Sequence, residues 1–114
     1  MREIKFRAWH KKDKEYFDVD LIDWYNEVVS YVFNDYVNQE QSLECFSFDE
    51  VIMEQYIGTS DKNGREVYVG DIVKGEITGY VFPIIKKDLF IQEKIKDDSI
   101  EVIGNIHENG DLLK

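Results

Sequence analysis

Between Gly58 and Gly79 the chain is interrupted by turn-forming residues so often that no helix of ordinary length fits between them. Asp61-Lys62-Asn63-Gly64 is the strongest interruption, because Asn and Gly accept the positive φ that tight hairpin turns demand. The β-prone run Val67-Tyr68-Val69 follows, then Gly70-Asp71, then Ile72 to Ile77. Gly70 can take a conformation closed to other residues, and the Asp71 carboxylate can accept hydrogen bonds from nearby backbone amides. The pair therefore predicts a sharp entry into the next strand. Gly79 ends that strand, and Tyr80 to Ile85 reads as another, with Pro83 at an edge or bulge because it cannot donate to a ladder. Leu89-Phe90-Ile91 predicts a further strand, and 94–99 a charged connector. In the last strand Ile100, Val102, Gly104 and Ile106 alternate with Glu101, Ile103, Asn105 and His107. Asn109-Gly110 turns the chain, and Leu112 with Leu113 is expected to plug one end of the core. Short strands joined by tight turns describe a small closed barrel of the SH3 type.

The N-terminal third reads as β-rich too. Ile4, Phe6 and Ala8 alternate with Lys5, Arg7 and Trp9, and a polar turn, His10 to Lys14, leads to Tyr16, Phe17 and Val19, which is a hairpin pattern. Arg7 beside Trp9 is expected to be a cross-strand aromatic arrangement covering the core rather than a stacking platform for bases. Residues 20–40 admit two readings. Leu21, Trp24, Tyr25, Val28, Val32 and Tyr36 fall at helical spacing, whereas Val28, Val29, Tyr31, Val32 and Phe33 favour a strand by residue type. The β-branched and aromatic content favours two strands, roughly 21–25 and 28–33, followed by a polar loop from Asn34 to Ser42. Ser47-Phe48-Asp49-Glu50 matches a capping box and predicts a short helix or turn. The apolar run from Val51 to Ile57 that follows is expected to be a strand in its later half. The fold class expected is mainly β, a β-rich α+β chain.

Charge is unevenly laid out. Residues 1–14 carry six basic and two acidic groups, whereas residues 15–56 carry eleven acidic groups and no Lys or Arg, within a total of −10. A polyanionic face repels phosphate backbones, so nucleic-acid binding, the alternative function this sequence offers, would be that of an accessory protein using Arg2, Lys5, Arg7, Lys11, Lys12 and Lys14 alone, and is disfavoured. No apolar run approaches the roughly 20 residues of a membrane span, and the start lacks the apolar stretch of a signal peptide. A cytoplasmic place in a bacterial host cell, without membrane contact, is the expectation. The single cysteine, Cys45, cannot form an internal disulfide, and reads as a small buried hydrophobe.

Three stretches resemble a known family when taken in order: Met1 to Trp9 (MREIKFRAW), Gln55 to Val73 (QYIGTSDKNGREVYVGDIV) and Ile100 to Asn109 (IEVIGNIHEN). They resemble the YopX-like proteins of bacteriophages and integrated prophages. The resemblance runs from one end of the chain to the other and implies an SH3-type C-terminal barrel, here 47–114, beneath a β-rich N-terminal portion, 1–46. It also implies expression from phage genes inside a bacterium. It supplies no activity and no catalytic residues to carry over. Where the family tends to place a proline after the Glu-Asn pair, this chain has Gly110 and Asp111, which loosens the turn before the Leu112-Leu113 tail.

The residue types that carry chemistry are present without the required spacing. Asp61, Asn63 and Gly64 fit the third, fifth and sixth positions of an EF-hand loop, but the first position is Thr59 and the twelfth Gly70, so both key carboxylates are missing. Zinc needs clustered ligands, and Cys45, His10 and His107 lie in separate parts of the chain, with both histidines expected at the surface. No nucleophile elbow, phosphate loop or dinucleotide fingerprint occurs. The expectation is therefore no catalytic, cofactor or metal residues and no enzyme activity. A non-enzymatic interaction module fits instead, its acidic middle third meeting a host or phage protein, with self-assembly through strand edges as a further option.

Overall fold

The computed structural model describes residues 4–85 and 99–113. The class is mainly β. Close contacts divide the chain into two units, one of Lys5–Glu54 and one of Ile4 with the residues from Gln55 onward. The strand expected at Leu89-Phe90-Ile91 and most of the connector at 94–99 lie outside the described residues.

In the first unit β1 (Phe6–His10) and β2 (Glu15–Asp18) form the expected antiparallel hairpin, with Ala8 opposite Phe17 and Trp9 opposite Tyr16. Between residues 20 and 40 residue type prevails over helical spacing. β3 (Leu21–Asp23) and β4 (Val28–Asp35) pair antiparallel, and Trp24 and Tyr25, which gave much of the apparent helical stripe, lie exposed in the turn between them. The stretch 34–42, expected as a loop, is mostly strand: β4 runs on to Asp35 and pairs residue for residue with β5 (Glu40–Ser47), leaving only 36–39 as the turn. Polar residues suffice there because this end of the hairpin is open to water and its backbone bonds do not depend on burial.

The three hairpin turns, 11–14, 24–27 and 36–39, share one design. Each closes on a non-glycine residue in the left-handed region, Lys14 (φ 56), Glu27 (φ 56) and Gln39 (φ 55), a conformation that costs roughly 1 kcal/mol for an L-residue. The residue before each turn offsets that cost by accepting a backbone hydrogen bond: His10 Nδ1 from the Asp13 N–H, Asp23 Oδ1 from Asn26, and Asp35 Oδ1 from Val37 and Asn38. The unit's core is Ala8, Val29 and Val51, packed with Phe17, Val19, Ile22, Phe46, Phe48 and Met53.

A 3-10 turn, Phe48–Glu50, stands where the capping box predicts a helix start, but the Ser47 side chain makes no capping bond. One turn has too few free amides to require it. β6 (Val51–Ser60) is a strand over its whole length, not only in its later half, and it carries the chain from the first unit into the second. It passes through Gly58 at φ 93, with a register shift between Tyr56 and Ser60 opposite β7 (Glu66–Tyr68).

The second unit continues with β8 (Asp71–Gly75), β9 (Val81–Pro83) and β10 (Ile100–Asn105), an antiparallel sheet in the order β10-β8-β9. Among the described residues β9 is an outer strand, and Pro83 ends it, in keeping with its missing N–H. Ile57, Val67, Val73, Ile84, Ile100 and Val102 form the core. The expected Gly70-Asp71 device is present: Gly70 has φ 95, and buried Asp71 accepts the Tyr68 N–H at 2.8 Å. Asp61 goes further than its turn. Its carboxylate accepts the N–H groups of Asn63 and Arg65 at 2.9 Å and of Val102 in β10 at 3.0 Å.

Two expectations at the C-terminus are corrected. A bulge between Val102 and Gly104 shifts the alternation of β10, so that Ile106 is exposed rather than buried. Leu112 and Leu113 sit in a second 3-10 turn, Gly110–Leu113, and remain 41% and 40% exposed, so they do not plug the core.

Burial raises the Asp61 pKa, but the amides of Val102, Arg65 and Asn63, aided by the Arg65 charge, outweigh it and hold the carboxyl below its ordinary value of 3.8. A depressed carboxyl contributes stability above its unfolded pKa and loses it as pH falls toward the folded one. Asp61→Asn should therefore cost about 2 kcal/mol at pH 7, with the gap to wild type narrowing below about pH 4. Urea unfolding from pH 7 to pH 3 measures both. A second substitution tests the final turn: a Cβ on Gly104 would lie 2.6 Å from Asn109 Oδ1, the acceptor for the Asn105 N–H. Gly104→Ala should lower stability by about 2 kcal/mol, whereas Gly110→Ala, facing open space, should stay within about 0.5 kcal/mol.

Candidate functional site

Alternation along β1 places Arg7 and Trp9 on the face opposite Ala8. Arg7 is buried there, its guanidinium 4.1 Å from the Tyr16 ring centroid and its Nε and Nη2 each 2.9 Å from Glu54 Oε1. The Tyr16 hydroxyl donates to the same oxygen at 2.9 Å, and Trp9 meets the Tyr16 ring edge-on at 4.9 Å between centroids. A platform for bases needs exposed rings and a free cation. Here the cation is paired and Trp9 is buried, as expected of a cross-strand aromatic. Glu54 was legible only as one acid among many, because nothing in its neighbours marks it as the member of that block held inside.

The pairing of Arg7 thins the basic N-terminal block. Lys11, Lys12 and Lys14 lie exposed in the β1–β2 turn, with Lys11 Nζ donating to the Asp49 carbonyl, and Arg2 lies outside the described residues.

The residues considered for metals or nucleophilic chemistry stay apart. His10 is buried rather than at the surface, because the last residue of β1 packs its ring at a tilt against Phe46, 4.6 Å between centroids. Cys45 is exposed rather than buried: Phe46 faces the core, so its neighbour in β5 points outward, where the Ser30 hydroxyl donates to Sγ at 3.2 Å. His107 is half-buried in the turn after β10. Among the described residues no group of three His, Cys, Asp or Glu is placed to hold a metal ion, and no helix is long and apolar enough to cross a membrane.

What the first unit does present is an acidic hairpin with apolar side chains in water. Of the acidic residues from Glu15 to Glu54, all but Asp35 and Glu54 are exposed. On β5 exposed Glu40 and Glu44 stand near exposed Leu43, exposed Val32 and Phe33 of β4, and exposed Tyr36 and Val37 of the turn between the two strands. At the open end Asn34, Asp35, Tyr36, Gln39, Glu40 and Gln41 line a shallow depression of ≈ 340 Å³. The Asn38 side-chain amide and then its backbone N–H hold the Asp35 carboxyl below the usual range, so that end of the hairpin is anionic at neutral pH.

The sequence from residue 5 to residue 114 matches the family model described as YopX protein. The chain belongs to the YopX family. Among solved structures it is similar to protein EF1440 from Enterococcus faecalis, at 27% identity over 100% of both chains and with a TM-score of 0.62. No curated protein matches it.

In this YopX-family chain the buried Arg7–Glu54–Tyr16 cluster is a structural element. Its charges are spent on each other, and removing one partner of a buried pair strands the other in a medium that solvates it poorly. Glu54→Ala should cost about 3–5 kcal/mol, and Tyr16→Phe, which keeps the ring under Arg7, about 1 kcal/mol. Equilibrium denaturation of the two variants provides the comparison.

Proposed function

We propose that the chain is a non-enzymatic protein-interaction module, encoded by phage or prophage and acting in the bacterial cytoplasm, that uses its acidic first unit to meet a basic protein. The observation that supports this is the coincidence of the exposed carboxylates of Glu40 and Glu44 on β5 with exposed large apolar side chains on β4, on β5 and in the turn between them, with no Lys or Arg between residues 15 and 56. Charge alone keeps a protein in solution, and apolar residues alone cost solubility. Together they make a surface whose carboxylates steer a cationic partner and whose side chains gain when it lands.

Long-range attraction of this kind is screened over about 8–10 Å at physiological salt. The partner recovered by affinity capture from lysogenic cells, once purified, should therefore bind at least about tenfold more weakly at roughly 500 mM salt than at 50 mM. Replacing Glu15, Asp18, Glu40 and Glu44 by their amides should flatten that dependence, read by titration calorimetry. A partner whose affinity ignores both salt and these substitutions, or no reproducible partner at low salt, would rule the reading out.

A further inference from the structure

β5 is the outer strand of the sheet β3-β4-β5, and among the described residues it pairs on one side only, with β4. Its pairing is regular, eight consecutive positions from Val28 opposite Ser47 to Asp35 opposite Glu40 without a bulge. Such an edge offers unmatched backbone groups to any passing strand, and proteins ordinarily blunt it with charged side chains, lysine above all, with proline or with a bulge. β5 has no lysine, proline or bulge. Its only charged residues are Glu40 and Glu44, which repel an acidic strand and admit a basic one.

The side chains of β5 say what would fit beside it. Glu40 and Glu44 point to one face, while Leu43 points to the other, where it lies opposite Val32. Both of these apolar residues are exposed, Leu43 at 52% and Val32 at 42%. A strand laid against β5 would meet carboxylates with one set of alternate side chains and the Leu43–Val32 surface with the other. We infer that β5 is a docking edge for an extended segment of the partner protein in which basic and apolar residues alternate, added to the sheet as a further strand. Main-chain pairing holds such a segment and the alternation selects it. Charge decides against a second copy of this chain as the occupant, since it would bring Glu40, Glu44 and a net charge of −10 to the same edge. This inference rests on the acidic-surface reading above and adds to it the place and the backbone geometry of the partner.

The test uses the full chain and two labelled ten-residue peptides of identical composition, one alternating valine and lysine and the other with the two blocked together. Fluorescence anisotropy measures affinity, and the rate at which Ellman's reagent modifies exposed Cys45 reports occupation of β5 directly. The alternating peptide should bind at least about tenfold tighter than its isomer, the size expected from several cross-strand pairs. It should also slow Cys45 modification several-fold, and Glu40→Lys with Glu44→Lys should abolish both effects. Equal binding of the two peptides without protection of Cys45 would overturn strand addition and leave the acidic-surface reading standing. Binding of neither would overturn both. A dimer in sedimentation with Cys45 already protected would give the edge to a second copy and overturn the inference.

Discussion

Hydrogen bonds from backbone N–H groups to side-chain carboxylates are the interaction on which this architecture depends. A chain of short strands turns often, every turn leaves amides that no ladder matches, and a buried amide without an acceptor is costly. Asp23 and Asp35 answer that need in the hairpins of the first unit, and Asp20 accepts the Val32 N–H at 2.6 Å. Asp61 and Asp71 do the same in the second, where the surroundings are dry. Part of the acidic composition is thus internal architecture. What remains exposed on β5, Glu40 and Glu44, is the part available to a partner.

The same division explains what was legible in the sequence. Gly64, Gly70-Asp71 and Pro83 act through backbone rules that hold wherever they occur, and the structure obeys all three, Gly64 taking φ 82 while Asn63 beside it keeps a negative φ. The turns closed by Lys14, Glu27 and Gln39 use ordinary residues in a left-handed conformation, and no glycine announces them. The stripe from Leu21 to Tyr36 imitated a helix because a four-residue turn happened to place Trp24 and Tyr25 at the right intervals. The bulge in β10 re-aims Ile106, and a sequence that alternates on both sides of such a shift cannot reveal it.

The candidate site was legible in charge and obscure in geometry. The absence of cations between residues 15 and 56 marks an acidic surface, yet it does not say that Glu54 is withdrawn to neutralise Arg7 or that β4 and β5 extend past β3 as a paired arm. Those facts follow from strand register, which a single sequence specifies weakly wherever both faces of a strand meet water. Cys45 shows the same limit: one residue along the strand separates it from buried company.

Asp61 and Val102 have a further consequence, for the order in which the molecule is made. The N–H of Lys62 bonds to the Ile100 carbonyl beside the Asp61–Val102 bond, so the second unit closes across residues far apart in the chain. Contacts of such separation pay a loop-closure entropy before they return any stability, and they slow maturation. On the ribosome the first unit has all its strands once β6 has emerged, whereas the second must wait for β10. Until then the apolar residues of β7 and β8 lack part of their cover, and that interval is the exposed moment in the life of this protein.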